Sequence, residues 1–198
     1  METCEFKTIK LEKPDLKGGM PLYEALSKRK SSREFDSSKF LTLKQVSQLL
    51  WCCYGNNREG NYKVVPSALH MNPLTIYAFM KSGTFKYIPE KSELEPVKEG
   101  DNRELAGIQP FVKNAALNIV IVADFSIKVP FAGYNLDLNV RKRCVYLDSA
   151  HCCQNVYLCC MSEGLKCVER GGCQQEKLKE LLKLDDNKEI TITLSVGY

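Results

Sequence analysis

One segment, Asp148–Glu163, constrains the fold of this chain more than any other. At helical spacing it is apolar nearly all the way round, and it carries two pairs of adjacent cysteines, Cys152–Cys153 and Cys159–Cys160. A helix without a polar face has to be buried, either in a large core or against a second copy of the chain. Gly164 follows as its predicted C-terminal cap. The sequence therefore predicts a buried helix around which the rest of the fold is built.

The chain contains ten cysteines, and a third adjacent pair is Cys52–Cys53. Neighbouring cysteines on a helix point to different sides and are poorly placed to bridge each other. There is no C-x-x-C motif, and His70 and His151 are the two histidines in the sequence. Free cysteine packs as a small hydrophobic residue. We therefore predict buried, reduced thiols and a reducing, cytoplasmic location, with a cysteine-based metal or redox cluster as the alternative.

Composition excludes several classes of protein. With 198 residues and 44% hydrophobic residues, the prediction is a single domain over residues 1–198 with an N-terminal arm over residues 1–20. A net charge of +4 is too small and too evenly spread for a nucleic-acid partner. The longest apolar runs are far shorter than the roughly 20 residues that span a bilayer, and the charged N-terminus does not resemble a signal peptide. No nucleic-acid or membrane partner is expected.

Periodicity and turn residues indicate mixed secondary structure. Thr42, with Gln45 three residues later, forms a capping-box pattern at the start of a helix. Gly55-Asn56-Asn57 is predicted to end this helix, because glycine and asparagine tolerate a left-handed turn. The other predicted helices are Pro21–Lys30, Gln174–Leu182 and broken helical pieces within Glu90–Gly107. The predicted strands are Leu74–Met80 and Thr84–Ile88 as a hairpin, Ala115–Ala123 buried on both faces, and Ile190–Val196 half-buried. Since no βαβ repeat is present, the predicted class is α+β.

The first candidate site is the segment Arg29-Lys30-Ser31-Ser32-Arg33, where a predicted helix gives way to a loop. Three cations and two hydroxyls in five residues suit an anion with several oxygens, because arginine donates bidentate hydrogen bonds to phosphate. The alternative is a solvated positive helix end that complements the helix dipole.

The second candidate lies in the long loop 56–73 and runs from Pro66 to Pro73. Bracketing prolines stiffen a stretch that presents Ser67, His70 and Asn72, and such a loop can lay flat groups against a planar ligand. A loop longer than about 15 residues is usually functional, although an ordinary surface loop is the alternative.

The third candidate is Gly171-Gly172, predicted as a turn between two helices. Paired glycines let backbone N–H groups approach a ligand closely, but such a turn can also be purely structural. No Ser-His-Asp order, P-loop, G-x-G-x-x-G or H-E-x-x-H occurs in the chain. Hydrolytic chemistry therefore has no evident catalyst here.

Taken in order, these segments resemble the FMN-dependent nitroreductase family, from about Pro21 to Val196. The compact, SagB-like branch is the most similar, given the tryptophan-bearing helix and the K-V-V-P-S sequence at residues 63–67. The motifs that carry the resemblance are R-K-S-S-R-E-F at 29–35, L-L-W-C-C-Y-G-N-N-R at 49–58, P-S-A-L-H-M-N-P at 66–73, G-D-N-R at 100–103, L-D-S-A-H-C-C-Q-N-V-Y-L at 147–158 and G-L-K-C-V-E-R-G-G at 164–172.

The resemblance implies a fold and a cofactor. The fold would be α+β, a central and mostly antiparallel sheet wrapped by helices, in an obligate homodimer with two FMN sites at the interface and the long apolar helix in the dimer core. The implied FMN-binding residues are Arg29, Lys30, Ser31 and Arg33 on the phosphate, ribityl and N1/O2 side, Pro66, Ser67, Ala68 and His70 from the partner subunit, and Gly171 and Gly172 near flavin N5.

The resemblance also implies a reaction in which NAD(P)H reduces the flavin and a nitro, quinone or similar organic acceptor then takes the electrons. The flavin supplies this chemistry, so no catalytic side chain and no metal ligand are named. One alternative is an FMN-dependent dehydrogenase of azoline-like substrates that does not use NAD(P)H. A flavin-binding protein without turnover, or the cysteine-based metal binder, is a further alternative.

Overall fold

The computed structural model describes residues 6–128 and 136–198. In chain order its helices are α1 (Leu22–Lys28), α2 (Leu43–Tyr54), α3 (Leu138–Ser162) and α4 (Gln175–Leu182). Its strands are β1 (Ile9–Lys10), β2 (Asn56–Arg58), β3 (Tyr62–Lys63), β4 (Leu74–Met80), β5 (Gly83–Ile88), β6 (Glu93–Glu99), β7 (Leu117–Asp124), β8 (Lys166–Arg170) and β9 (Lys188–Gly197). Short 3₁₀ turns occupy Ala68–His70, Arg103–Ala106 and Pro110–Asn114.

The strands form a seven-stranded sheet in the order β1-β6-β5-β4-β7-β9-β8, while β2 and β3 pair separately. Every strand pairing among the described residues is antiparallel. The predicted α+β class with an antiparallel sheet and surrounding helices is therefore confirmed.

The sheet has a hydrophobic core on each face, because successive residues of a strand point to opposite sides. On β7, Ile119 and Ile121 pack with α2 and α3, whereas Val120 and Val122 pack with α4 and the 3₁₀ turns. Residues 117–123 are all buried, as predicted for this segment. The larger core lies between the sheet and the helix pair α2–α3, so α3 packs against one face of the sheet.

The capping box of α2 is confirmed in full. The Thr42 hydroxyl accepts a hydrogen bond from the backbone N–H of Gln45 at 3.2 Å, and Gln45 Oε1 accepts one from the Thr42 N–H at 3.0 Å. The predicted left-handed turn is wrong at Gly55, since its φ is −69°. Glycine is needed there for space, because a Cβ would lie 2.3 Å from the Trp51 ring.

The predicted helical pieces in Glu90–Gly107 are wrong over their first half, which forms strand β6 and pairs with both β1 and β5. Ser92 has φ = 52° in the turn that leads into this strand, and Leu94 is its one fully buried side chain. Glutamate and lysine are good helix formers, but intrinsic propensity is a small effect that tertiary contacts override, and here pairing with β5 outweighs it. The second half forms a 3₁₀ turn at Arg103–Ala106.

Three other predictions are corrected in the second half of the chain. Strand β9 is not half-buried, because it lies between β7 and β8, and Thr193 and Ser195 are both fully buried. The Gly171-Gly172 turn does not join two helices, since strand β8 precedes it and α4 follows. Helix α3 begins ten residues before the predicted start, at Leu138.

The predicted loop 56–73 contains the small β2–β3 pair and a 3₁₀ turn. The first five residues of the predicted N-terminal arm lie outside the described residues. The described part of the arm adds β1 to the edge of the sheet and then reaches α3, where the Met20 N–H donates to Ser162 Oγ at 2.9 Å.

Candidate active site

The first candidate segment leaves the end of α1 and runs beside strand β8. Arg29 is the C-terminal cap of α1, and the Ser32 N–H donates to the Cys167 carbonyl at 2.9 Å. Because β8 is an edge strand of the sheet, this contact fixes the segment along the open edge. Arg29 is half-buried, whereas Lys30, Ser31 and Arg33 are exposed.

Tyr157 on α3 contacts two side chains of this segment, Ser31 and Arg29. Its hydroxyl is 2.9 Å from Ser31 Oγ and also accepts the Glu169 N–H at 2.9 Å, while the Arg29 guanidinium lies 5.3 Å from the ring centroid. Burial raises the pKa of the Tyr157 hydroxyl, so it stays protonated near neutral pH. We call Arg29, Lys30, Ser31, Arg33 and Tyr157 the cationic cluster.

The charges of the cationic cluster have no internal counter-ion. Among the described residues, Arg29, Lys30 and Arg33 form no ion pair, whereas Lys28, one position earlier, pairs with Glu24 at 2.6 Å. Three neighbouring cations without an ion pair in the described part of the chain suit an anion, and arginine binds phosphate oxygens especially well. This fits the phosphate end of FMN.

The glycine pair lies at the far end of β8, at the same sheet edge as the cationic cluster. A Cβ built on Gly171 meets nothing within 4 Å, and one on Gly172 meets the Ile108 side chain at 3.3 Å. The turn is therefore open on the Gly171 side, where a flat ligand can approach its backbone.

Arg170, the residue before this turn, anchors it to the buried interior of the protein. It is 6% exposed, and it donates to the Ala106 carbonyl at 3.0 Å and to Asn118 Oδ1 at 3.3 Å. Burial lowers the pKa of its guanidinium to about 10, which leaves it charged at neutral pH. A Cβ at Gly107 would lie 1.9 Å from Arg170 Nη1, so a glycine is required at that position.

The second candidate segment packs on the middle of α3 through Asp148. The Ser67 hydroxyl donates to Asp148 Oδ2 at 2.7 Å and accepts the Asn72 N–H at 3.0 Å. The backbone of Ala68 also hydrogen-bonds to this carboxylate. Asp148 is 3% exposed, and burial raises the pKa of its carboxyl. We call residues 66–73 the clamped loop.

The clamped loop has an unusual backbone. Leu69, His70 and Asn72 have φ values of 51°, 54° and 47°, in the left-handed region that costs a residue other than glycine about 1 kcal/mol or more. Such conformations concentrate where a loop has to present groups in a fixed arrangement. The bonds to Asp148 hold the loop in this shape.

An open cavity of about 410 Å³ lies beside the clamped loop, and Ser67, His70 and the β2–β3 pair line it. Planar groups lie along one side: the Arg58 guanidinium lies 4.0 Å from the Tyr62 ring centroid, and that ring lies 4.5 Å from the His70 ring at an interplanar angle of 40°. A cavity of this size with flat walls suits a planar aromatic ligand.

One chain does not bring all the predicted residues to one point. The cationic cluster contacts α3 at Tyr157 and the clamped loop contacts it at Asp148, nine residues away, which is about 14 Å along a helix. The single chain therefore presents two separate groups of candidate residues along α3, which we call the two half-sites of the candidate site. The structure places Arg29 and Ser31 together on the first, and Pro66, Ser67, Ala68 and His70 together on the second.

Sequence reasoning assigned no role to Tyr157 or Asp148. Both lie in the helix that the sequence shows as apolar nearly all round, and both are buried. The available signal was the presence of two polar side chains at interior positions of that helix, because a buried polar group needs a partner.

Comparison with known proteins shows the family. The model of the nitroreductase family matches residues 26–198 of the chain. A curated protein of Methanocaldococcus jannaschii that carries the nitroreductase name, MJ1384, is 32% identical over 189 residues, which cover 90% of this chain and 92% of the relative. The chain therefore belongs to the nitroreductase family. It is accordingly an oxidoreductase of the flavin-using type.

Solved structures have the same fold. A structure from Ralstonia eutropha, also named for the nitroreductases, superposes with a TM-score of 0.88 and 32% identity, covering 98% of this chain and 91% of the other. The NADPH:FMN oxidoreductase of Vibrio harveyi, solved with NAD⁺, superposes with a TM-score of 0.65 over 89% of this chain and 68% of the other. At 19% identity, the latter shows the fold alone.

Two kinds of feature are absent from residues 6–128 and 136–198. In this part of the chain, no helix has the length and apolar character to cross a membrane. Nor do residues 6–128 and 136–198 contain a group of three or more His, Cys, Asp or Glu side chains that could hold a metal ion.

Proposed function

We propose that this protein is an FMN-dependent oxidoreductase that transfers electrons from NAD(P)H to a nitro, quinone or similar organic acceptor. The observation that carries the proposal is the cationic cluster, three unpaired cations and a buried tyrosine hydroxyl at the sheet edge that leads to the open Gly171 turn. The Vibrio harveyi neighbour is an NADPH:FMN oxidoreductase, which supports the same cofactor and donor. The K-V-V-P-S sequence at 63–67 supports the compact, SagB-like branch.

The residues present fit FMN by chemistry and by space. Arg29 and Lys30 would bind the phosphate, Ser31 would be oriented by Tyr157 toward the ribityl hydroxyls, and the Arg33 guanidinium would place positive charge near the N1/O2 edge. A cation there favours the anionic reduced form of a flavin. When bound, FMN supplies the two-electron chemistry, accepting hydride from a nicotinamide and passing electrons on to the acceptor.

Gly171 and Gly172 would present their backbone to the N5 side of the ring. The clamped loop would cover the ring from the partner subunit with Pro66, Ser67, Ala68 and His70, because the half-site on the same chain is about 14 Å away along α3. In this proposal the protein binds, orients and shields the cofactor, and no side chain acts as a general acid or base.

The second subunit would come from a homodimer built on α3. Its outward stripe includes Leu147 at 60% exposure and Tyr146 at 41%, and the neighbouring helix α1 exposes Leu22 at 60% and Tyr23 at 85%. Exposed apolar groups on two adjacent helices are typical of a subunit interface. Light scattering should therefore give the mass of two chains, and a monomer that binds FMN would contradict the shared site.

We also propose that the protein acts in the cytoplasm. The nine cysteines among the described residues are all free thiols, and unpaired thiols in this number are typical of a reducing compartment.

The test is FMN binding followed by anaerobic reduction. Arg29→Ala should weaken FMN affinity by about 1.5–3 kcal/mol, the value of a charge-assisted hydrogen bond, measured by quenching of FMN fluorescence. The matched control is Lys28→Ala, because Lys28 is already paired with Glu24, and its affinity should not change. Equal affinities in the two variants would place the phosphate elsewhere.

Anaerobic titration of the FMN-loaded protein with NADH or NADPH distinguishes the proposed activity from its alternatives. Loss of the visible flavin band supports NAD(P)H oxidation. A flavin band that persists with both nicotinamides would favour a dehydrogenase that takes electrons directly from an organic substrate, or a binding protein without turnover.

A further inference from the structure

Three pairs of thiols contact each other among the described residues. They join α2 to α3 through Cys52–Cys159 and Cys53–Cys152, and α3 to β8 through Cys160–Cys167, and the two thiols of each pair are hydrogen-bonded. All six are reduced. A thiol pair that is already in contact can become a disulfide if an oxidising reagent can reach it.

The Cys52–Cys159 pair is the one of the three that reaches the surface. Cys52 is half-buried, and both cysteines line an open cavity of about 150 Å³ between α2, the end of α3 and the N-terminal arm. The Asn155 amide donates to the Cys52 carbonyl at 3.1 Å. Since Asn155 lies one turn before Cys159, this bond fixes the register of the two helices at the pair.

The second pair, Cys53–Cys152, serves as a comparison for the first because it is fully buried. Cys53 and Cys152 join the same two helices, one residue further along α2, and both are 0% exposed. The Cys152 hydrogen bond and burial raise the pKa of Cys53 well above its usual value. Both thiols therefore lack access, and Cys53 also lacks thiolate character.

The environment of the first pair favours Cys52 as the nucleophile. The hydrogen bond from the Cys159 thiol lowers the pKa of Cys52, and Gln48 Nε2 donates to Cys52 Sγ at 3.8 Å. The same hydrogen bond raises the pKa of Cys159. A thiolate reacts and a thiol does not, so the reaction should begin at Cys52.

We propose that Cys52 and Cys159 form a thiol–disulfide exchange site that reacts with low-molecular-weight disulfides. The Cys52 thiolate attacks one sulfur of the reagent disulfide, whose S–S bond breaks and releases the first thiol with the Cys52 proton. Cys159 then attacks Cys52 Sγ, breaks the mixed disulfide and releases the second thiol with its own proton. Two electrons pass from the cysteine pair to the reagent, and a disulfide joins α2 to α3.

The test counts free thiols after oxidation. The full-length protein, first reduced, is treated with oxidised glutathione, unfolded, alkylated with N-ethylmaleimide and weighed by mass spectrometry. Two of the ten thiols should escape alkylation, with no glutathione left on the chain. Cys159→Ser should stop at the first step and retain one glutathione, and in Cys52→Ser every remaining thiol should be alkylated.

The control variants are Cys53→Ser and Cys152→Ser, which should lose two alkylatable thiols as the wild type does. Complete alkylation of oxidised wild type would overturn the proposal. So would a glutathione adduct that persists on wild type, or a disulfide that survives in Cys52→Ser. The measurement does not depend on FMN, so its outcome is independent of the function proposed above.

Discussion

The buried carboxylate of Asp148 accepts a hydrogen bond from the Ser67 hydroxyl at 2.7 Å, across 81 residues of sequence. The contact joins the middle of α3 to the clamped loop. The same hydroxyl accepts the Asn72 N–H at 3.0 Å, so one serine connects the helix to both ends of a strained turn. The shape of the loop, and with it one half of the proposed site, therefore depends on Asp148.

The Asp148 carboxyl should make stability depend on pH. Because burial raises its folded pKa above 3.8, the folded protein retains a proton over a pH interval in which the unfolded chain has released it. The free energy of unfolding of wild type should then fall relative to that of Asp148→Asn as the pH rises from about 4 through the folded pKa, and become parallel above it. Urea unfolding of both proteins across this range measures the difference.

Asparagine is the matched substitution because it keeps an acceptor oxygen for Ser67 and cannot ionise. A difference between the two proteins that stays constant from about pH 4 to pH 7 would show that Asp148 has an ordinary carboxyl pKa. Asp148→Ala, which also removes the acceptor, should lower the unfolding free energy further, by about 1–3 kcal/mol.

Removing the Tyr157 hydroxyl should weaken FMN binding without removing any cation. Tyr157→Phe leaves Ser31 and the Glu169 N–H without their shared partner, so Ser31 loses its orientation. In a fluorescence titration, we expect the FMN dissociation constant to rise about tenfold, which corresponds to about 1.4 kcal/mol. Tyr77→Phe is the control, because Tyr77 packs in the core on the other face of the sheet. If both variants bind FMN as wild type does, Tyr157 has no part in the site.

Alanine substitutions at Gly171 and Gly107 should affect stability and FMN binding differently. Gly171→Ala adds a Cβ that meets nothing within 4 Å, so the unfolding free energy should change by no more than about 0.5 kcal/mol, while FMN affinity falls as the methyl group enters the proposed ring site. Gly107→Ala places a Cβ 1.9 Å from Arg170 Nη1 and should cost about 1–3 kcal/mol of stability. Thermal unfolding and FMN titration of both variants make the comparison, and unchanged FMN affinity in Gly171→Ala would move the ring away from this turn.

The candidate residues of the two half-sites can be named from the sequence, whereas the contacts that hold them cannot. The residues that line them follow from composition and motif order, since three cations in five residues and a proline-bracketed loop are visible in the chain itself. The contacts that hold them are not visible, because Ser31 meets Tyr157 across 126 residues and Ser67 meets Asp148 across 81. Local spacing carries no information about which distant side chain completes a hydrogen bond.

The amino-acid sequence alone predicts the helix over residues 148–162, the buried β7 and the capped start of α2, because each depends on a local period or on residues within one helical turn. The acidic stretch Glu93–Glu99 is a strand because its neighbours β1 and β5 supply the backbone partners that a helix would have supplied internally, and this depends on the fold. Tertiary structure also decided which cysteines meet and which of those pairs reaches the surface. Those outcomes depend on how α2 packs against α3, and that packing is set by the whole core.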